Sequence, residues 1–109
     1  MQQAAILQNL QFHPERALLT SIMETPFSKE IRICMKENTA LKSHKAAAAI
    51  VVEVVEGEII FETENEVLTM QKGMLVSLEA NVLHSLKANQ DSVIRLSVSK
   101  QVERPEHQH

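Results

Sequence analysis

The stretch Leu41–Phe61, with the sequence LKSHKAAAAIVVEVVEGEIIF, decides the fold of this chain. It contains the longest apolar block of the sequence, and Gly57, one of only two glycines, follows that block. The four alanines of Ala46–Ala49 would favour a helix on their own. Ile50–Val55 contains four valines and an isoleucine, whose branched side chains favour a strand. We therefore predict a strand over residues 49–56 and a bend or bulge at Gly57.

The flanking sequence consists of short strand-like segments separated by turn residues. Over residues 29–36, Ile31, Ile33 and Met35 alternate with Arg32 and Cys34, and this period of two is typical of a half-buried strand. About eight short strands at regular spacing indicate an antiparallel sandwich or barrel, so the predicted class is all-β. The other predicted strands lie at residues 17–23, 58–62, 67–70, 74–78, 82–88 and 92–99.

Composition limits the kinds of protein that this chain can be. Its 109 residues, 44% of them apolar, suit one globular domain spanning residues 1–109. No run approaches the roughly 18 apolar residues that a membrane helix needs. The start of the chain lacks the order of charge and apolarity seen in a signal peptide. The single cysteine, Cys34, cannot form an internal disulfide, so we expect a cytoplasmic protein.

Charge and aromatic content argue against a nucleic-acid-binding surface. The net charge is −3, and the Lys and Arg residues are spread along the chain rather than clustered. There is no Trp or Tyr to stack on bases. A nucleic-acid surface is expected to combine a basic patch with such aromatic side chains. We therefore expect no nucleic-acid partner.

The spacing around the central stretch resembles the first signature block of the small single-domain cupins. In that family the block reads Gly, five residues, His-any-His, three or four residues, Glu, six residues, Gly. Here Gly57 fits the last position and His44 fits the first histidine. Asn38, Ala46 and Ile50 stand at the opening glycine, the second histidine and the glutamate.

The second signature block of that family is matched at a similar level. It reads Gly, five residues, Pro-any-Gly, two residues, His, three residues, Asn. Gly73 and His84 fit it, whereas Glu79, Asn81 and Ala88 replace the proline, the second glycine and the asparagine. Asparagine replaces glycine at little cost where the backbone is left-handed, which we expect at both substituted turns. The resemblance covers roughly residues 28–99 and leaves residues 100–109 as a polar tail.

The resemblance implies an antiparallel jelly-roll barrel with a reduced metal site. Metal-binding members of the family use three histidines and a glutamate that face into the barrel. His44 and His84 would occupy two of those places, while Ala46 and Ile50 cannot coordinate an ion. The expected cofactor is a divalent transition metal (Mn, Fe, Ni or Zn) held by two imidazoles, or none. No catalytic residue can be named, because no carboxylate lies in register with the histidines.

Strand parity predicts the walls of the cavity around the two histidines. If a regular strand runs from His44 to Val54, every second residue of it faces one side. Together with residues from the neighbouring strands, this predicts a pocket lined by Met35, Ala46, Ile50, Val52 and Leu86.

Three functions remain open from the sequence. The first is binding of a small ligand in the barrel, with a weak two-histidine metal site or none. The second is a metal-dependent oxygenase or isomerase, and the third is a non-catalytic structural or regulatory dimer. A homodimer is expected because Val51 and Val55 make the second face of the central strand apolar as well. His107 and His109 in the tail are a minor candidate for adventitious metal binding.

Overall fold

A computed structural model describes residues 1–100, and these contain nine β-strands and no α-helix. The all-β prediction is confirmed, and each of the eight predicted strands is present with ends within two residues of those expected. The tail from residue 101, including His107 and His109, lies outside the described residues. The strands are β1 (Leu18–Glu24), β2 (Ser28–Met35), β3 (Ala40–His44), β4 (Ile50–Glu56), β5 (Glu58–Thr63), β6 (Val67–Gln71), β7 (Leu75–Leu78), β8 (His84–Ala88) and β9 (Ser92–Ser99).

The strands form two antiparallel sheets. The five-stranded sheet has the order β1-β2-β9-β4-β7, and the four-stranded sheet has the order β3-β8-β5-β6. The chain therefore passes from one sheet to the other between β2 and β3, β3 and β4, β4 and β5, β6 and β7, β7 and β8, and β8 and β9. In these strand orders β1 and β3 are edge strands, while β8 lies inside the four-stranded sheet.

The core lies between the inner faces of the two sheets. Every second residue of the central strands points into it, so Ile50, Val52 and Val54 of β4 are all buried. Full burial of one such side chain stabilises the fold by about 1.5–3 kcal/mol. The core cluster consists of Ile33, Met35, Ile50, Val52, Val54, Ile59, Phe61, Met70, Leu86, Ala88 and Ile94.

Gly57 connects the two sheets where the predicted bend was placed. It lies between β4 and β5 with φ of +91°, which L side chains rarely adopt. Asn38 and Asn81 also have positive φ, 71° and 66°. Both stand where the signature spacing has a glycine, so the expected left-handed backbone is confirmed at each.

The predicted strand over residues 49–56 is confirmed as β4, but it does not extend back to His44, which strand parity between His44 and Val54 would require. β3 ends at His44, residues 45–49 are not in a strand, and β4 begins at Ile50 in the other sheet. The alternation of inward- and outward-facing residues in β4 therefore does not extend through Ala46–Ala49 to His44. His44 and Val52 nevertheless face one cavity, because the two sheets oppose each other across the core.

Residues 4–9, here called the N-terminal segment, lie against the outer face of the five-stranded sheet. Arg32 of β2 secures it, since its guanidinium donates hydrogen bonds to the carbonyls of Ile6, Gln8 and Asn9 at 3.3, 2.8 and 3.4 Å. No described residue forms a helix long and apolar enough to span a lipid bilayer.

Candidate functional site

The structure brings the two predicted imidazoles together. His44 at the end of β3 and His84 at the start of β8 are directly opposite in the ladder between these strands. Their ring centroids are 4.3 Å apart, and the ring planes are tilted by 55°. Opposed positions on neighbouring strands bring side chains into contact, and the register of β3 and β8, which shifts between Leu41 and His44, places the two rings together.

Both imidazoles are held in the same tautomer by the backbone. His44 Nδ1 is 2.8 Å from the carbonyl oxygen of Lys42, and His84 Nδ1 is 2.8 Å from that of Val82. A carbonyl oxygen only accepts hydrogen bonds, so Nδ1 carries the proton in each neutral ring. Each Nε2 then presents a lone pair, and neither has a hydrogen-bond partner among residues 1–100. A backbone carbonyl on one ring nitrogen is also the usual way to orient a histidine that binds through the other.

The two histidines differ in their surroundings. His84 is only 4% exposed, and the ring of Phe61 stacks on it with a centroid distance of 5.7 Å and an interplanar angle of 20°. His44 is exposed at the end of an edge strand. The buried ring of His84 is therefore held by a hydrogen bond and by stacking on Phe61, whereas the exposed ring of His44 has the hydrogen bond but no such stacking partner among the described residues.

The two rings face a cavity of about 220 Å³ between the sheets, here called the imidazole cavity. The imidazoles are its only polar side chains among the described residues, and no carboxylate or lysine contributes to its wall. An apolar cavity with a few converging polar groups is the usual form of a small-molecule site. Its remaining lining residues are Leu19, Ile33, Leu41, Val52, Leu86 and Leu96.

Of the five predicted lining residues, Val52 and Leu86 line the imidazole cavity. Met35 and Ile50 are buried in the core outside it. Met35 lies two residues beyond Ile33 on β2, and Ile33 lines the cavity. Ile50 lies two residues before Val52 on β4, and Val52 lines the cavity. Each of the two predicted residues is therefore the next inward-facing residue along its strand, just outside the cavity. Ala46 lies in the segment between β3 and β4, partly buried against the core.

Four lining residues were not predicted: Leu19, Ile33, Leu41 and Leu96. The period-two pattern of β2 and β9 could have indicated Ile33 and Leu96. Leu19 and Leu41 lie on the edge strands β1 and β3. Nothing in the sequence showed that these two edges would flank the same cavity.

The donor set does not fit a metal centre with three or four protein ligands. Among residues 1–100, no group of three or more His, Cys, Asp or Glu side chains is placed to hold an ion. Ala46 and Ile50, at the positions where the signature has ligands, offer no donor atom. The two Nε2 atoms supply half of a tetrahedral set at most.

A second polar cluster lies on the outer face of the five-stranded sheet. Glu30 accepts hydrogen bonds from Arg95 at 2.9 Å, from Ser28 at 2.6 Å and from Ser97 at 2.7 Å. Burial alone would raise the pKa of Glu30, but these hydrogen bonds and the nearby positive charge outweigh burial, and the pKa lies below its usual value. Arg95 also bonds Glu53 at 3.2 Å.

This cluster borders a larger cavity of about 390 Å³ under the N-terminal segment. Both carboxylate oxygens of Glu30 already have partners, so the cluster's hydrogen bonds are made within the protein. We therefore regard the imidazole cavity, whose two histidines have no hydrogen-bond partner at Nε2 among residues 1–100, as the candidate site.

Comparison with known proteins gives a likeness of structure rather than of sequence. No protein-family model matches the chain. No curated protein matches it either. A cupin of the RmlC-like kind from Desulfovibrio desulfuricans has a TM-score of 0.83 at 19% identity, with 91% of this chain and 96% of that chain covered.

Two further solved structures agree. A cupin superfamily protein from Desulfitobacterium hafniense has a TM-score of 0.78 at 8% identity, covering 93% of this chain and 94% of that one. A cupin domain from Bordetella pertussis has a TM-score of 0.66 at 16% identity, covering 80% and 96%. These likenesses confirm the jelly-roll barrel expected from the signature spacing, and the chain has the fold of the small single-domain cupins.

Proposed function

We propose that this protein binds a small, largely apolar molecule in the imidazole cavity and holds one polar group of that molecule between His44 and His84. The observation that carries the proposal is the pair of imidazoles in the wall of a cavity otherwise lined by aliphatic side chains, with Nδ1 of each ring bonded to a backbone carbonyl so that Nε2 is left as an acceptor. A hydroxyl donates to one of the two Nε2 atoms, and an amino group with two hydrogens can donate to both. Such a site therefore favours a ligand with one of these groups at one end and an aliphatic or aromatic body.

A divalent transition metal is the second candidate for the same place. Neutral imidazole is a common ligand for Mn, Fe, Ni and Zn, and both rings have the carbonyl hydrogen bond that metal-binding histidines use. With two protein donors, water or the ligand would have to fill the other positions, so we expect weak affinity. Bound metal would supply Lewis acidity, as a metal-dependent oxygenase or isomerase requires. Ala46 and Ile50, without donor atoms, weigh against that enzyme relative to binding alone.

Calorimetric titration with hexanol and with Zn²⁺, each against variants, tests the proposal. We expect hexanol to bind the wild-type protein and to bind His84→Ala at least about tenfold more weakly, which corresponds to one hydrogen bond. The matched control is His13→Ala, because His13 also makes a local hydrogen bond through Nδ1 but lies outside the cavity. Equal binding by wild type and His84→Ala would contradict the proposal. Zinc affinity lost in both His44→Ala and His84→Ala would favour the metal site.

A homodimer is our proposal for the assembly. On the outer face of the five-stranded sheet, Val51 of β4 is only partly buried and Leu75 of the adjacent β7 is 60% exposed. A second copy on this face would remove that apolar surface from water. In analytical ultracentrifugation we expect a dimer for the wild type and a shift toward monomer for Leu75→Lys. A monomeric wild type would overturn this proposal, and with it the reading as a dimerisation module.

The cytoplasm is the location that we propose. Support comes from the one cysteine, Cys34, which is 2% exposed and unbridged. A free thiol is usual for a protein kept in a reducing compartment.

A further inference from the structure

The imidazole cavity reaches the surface between two edge strands, β1 and β3. These strands belong to different sheets, and no backbone hydrogen bond joins them in residues 1–100. Leu19 of β1 lines the cavity and is 52% exposed, and His44 of β3 lines it and is also exposed. At the other end of the cavity, Val52 of β4 and Leu86 of β8 are buried on strands inside their sheets. The cavity is therefore open between Leu19 and His44, a gap here called the mouth, and closed at its inner end.

Leu19 faces inward although much of its surface is in contact with water. Its directly opposed partner on β2 is Ile33, a buried core residue, and opposed residues of neighbouring strands lie on the same face of a sheet. Inward-facing side chains of a sandwich are normally buried against the opposite sheet. Here the opposite sheet ends at β3 and leaves about half of Leu19 uncovered. An apolar side chain is thus directed into the cavity with part of its surface available for contact with a ligand.

We propose that the ligand enters between β1 and β3 and that, once bound, it covers Leu19. This inference rests on the proposed function, because it takes the ligand to be a small, largely apolar molecule held at His44 and His84. Covering Leu19 removes its exposed apolar surface from water and so adds to affinity. Leu19 is therefore a ligand-contact residue that selects for apolar surface on the β1 side of the mouth, opposite the hydrogen-bonding group that His44 selects on the β3 side.

Labelling of an introduced cysteine with N-ethylmaleimide tests the route of entry. In Leu19→Cys the thiol lies at the mouth, whereas the natural Cys34 is 2% exposed, and its labelling in the wild type gives the background rate. With hexanol at about ten times the dissociation constant measured for Leu19→Cys, we expect labelling to slow about tenfold, because the bound ligand covers the thiol. After complete labelling the variant should no longer bind hexanol, since the adduct obstructs the mouth.

The matched control is Leu7→Cys. Leu7 has a similar exposure, 46%, but it lies in the N-terminal segment and does not line the imidazole cavity. We expect hexanol to leave the labelling rate of Leu7→Cys unchanged, and the labelled variant to bind hexanol as tightly as the wild type does.

Truncation of the same two leucines measures the contribution to affinity without thiol chemistry. In calorimetric titration we expect hexanol to bind Leu19→Ala about fivefold more weakly than the wild type, which corresponds to burial of about half of a leucine side chain. Leu7→Ala should bind hexanol as the wild type does. Both side chains are about half exposed, so neither truncation is expected to prevent folding.

The outcomes separate the two proposals. If hexanol binding depends on His84, but hexanol does not protect Leu19→Cys or binds Leu19→Ala as tightly as the wild type, the role of Leu19 alone is overturned. Equal protection of Leu19→Cys and Leu7→Cys also overturns it, since a general tightening of the protein would then explain the slower labelling. Absence of hexanol binding to the wild type overturns the proposed function, and this inference with it.

Discussion

Ser92 occupies the space that a β-carbon on Gly57 would need. A β-carbon built there would overlap the Ser92 hydroxyl and lie 2.5 Å from the carbonyl oxygen of Asp91. The hydroxyl is engaged at that position, since it accepts a hydrogen bond from the Glu58 amide at 3.1 Å and donates to the Gln90 carbonyl at 2.7 Å. The passage from β4 to β5 therefore requires glycine both for its positive φ and for space.

Gly57→Ala is accordingly expected to destabilise the fold strongly. The positive φ costs about 1–2 kcal/mol for a residue with a β-carbon, and displacement of Ser92 adds to it. Gly73→Ala is the matched control, because Gly73 has the same φ of +91° but nothing within 4 Å of the added carbon. Urea unfolding should show a loss for Gly57→Ala exceeding that for Gly73→Ala. Equal losses would mean that the close approach of Ser92 has no energetic effect.

His84→Ala should cost more stability than His44→Ala. The buried ring of His84 makes a hydrogen bond with Val82 and stacks on Phe61, two contacts worth together about 1–3 kcal/mol. His44 is exposed, and its replacement should change stability by less than about 1 kcal/mol. Thermal unfolding of both variants checks this order. A larger loss for His44→Ala would contradict the asymmetry of the pair.

Glu30 should make the fold more stable at neutral pH than in acid. Its pKa is lower folded than unfolded, so its stabilisation is fully present above the ordinary glutamate pKa of about 4.3 and is lost as the pH falls through the folded value. Glu30→Gln should therefore lower stability at pH 7 by about 1–2 kcal/mol and flatten the acid limb of the stability curve.

Glu24→Gln is the control for Glu30→Gln. Glu24 pairs with Lys100 at 2.8 Å but is exposed. An exposed ion pair contributes little to stability, so we expect no measurable change at pH 7. An unaltered acid limb in Glu30→Gln would show that another group governs acid unfolding.

Cys34 should be unreactive in the folded protein. It is 2% exposed and lies on β2 between the core residues Ile33 and Met35, outside the core cluster itself. Burial keeps reagents from the thiol, so a disulfide reagent should react with it only at the rate of unfolding and fully in denaturant. Rapid modification under native conditions would mean that this part of β2 opens locally.

The strands were predictable from the sequence because most of them show their period or their branched side chains. β3 was missed because Ala40–His44 is five residues long with one large apolar side chain, Leu41, so it shows neither signal. Its strand state comes from pairing with β8, forty residues later in the chain. Local pattern cannot report a contact of that separation, whereas the resemblance to a known spacing did place His44 beside His84.

Other features of the site depend on the backbone path. The carbonyls of Lys42 and Val82 fix both tautomers because the chain turns each one toward the ring two residues later. No residue pattern encodes that orientation. The bond between Glu30 and Arg95 likewise spans 65 positions and follows from the pairing of β2 with β9. Strand parity does not extend from His44 to Val54, because the chain changes sheets between β3 and β4.

Because His44 lies on an edge strand, ligand binding in the imidazole cavity should change the hydrogen exchange of that strand. β3 has one neighbour, β8, and their register shifts between Leu41 and His44. Backbone amides in such a strand exchange with solvent through small local openings. A molecule that contacts both His44 and His84 would link the edge strand β3 to β8 inside the sheet and so make local opening of β3 less frequent. Deuterium uptake at residues 40–44 would then slow on binding, while uptake in β5, which lies inside the sheet, would stay constant. Amide exchange in the edge strand would therefore show whether the cavity is occupied.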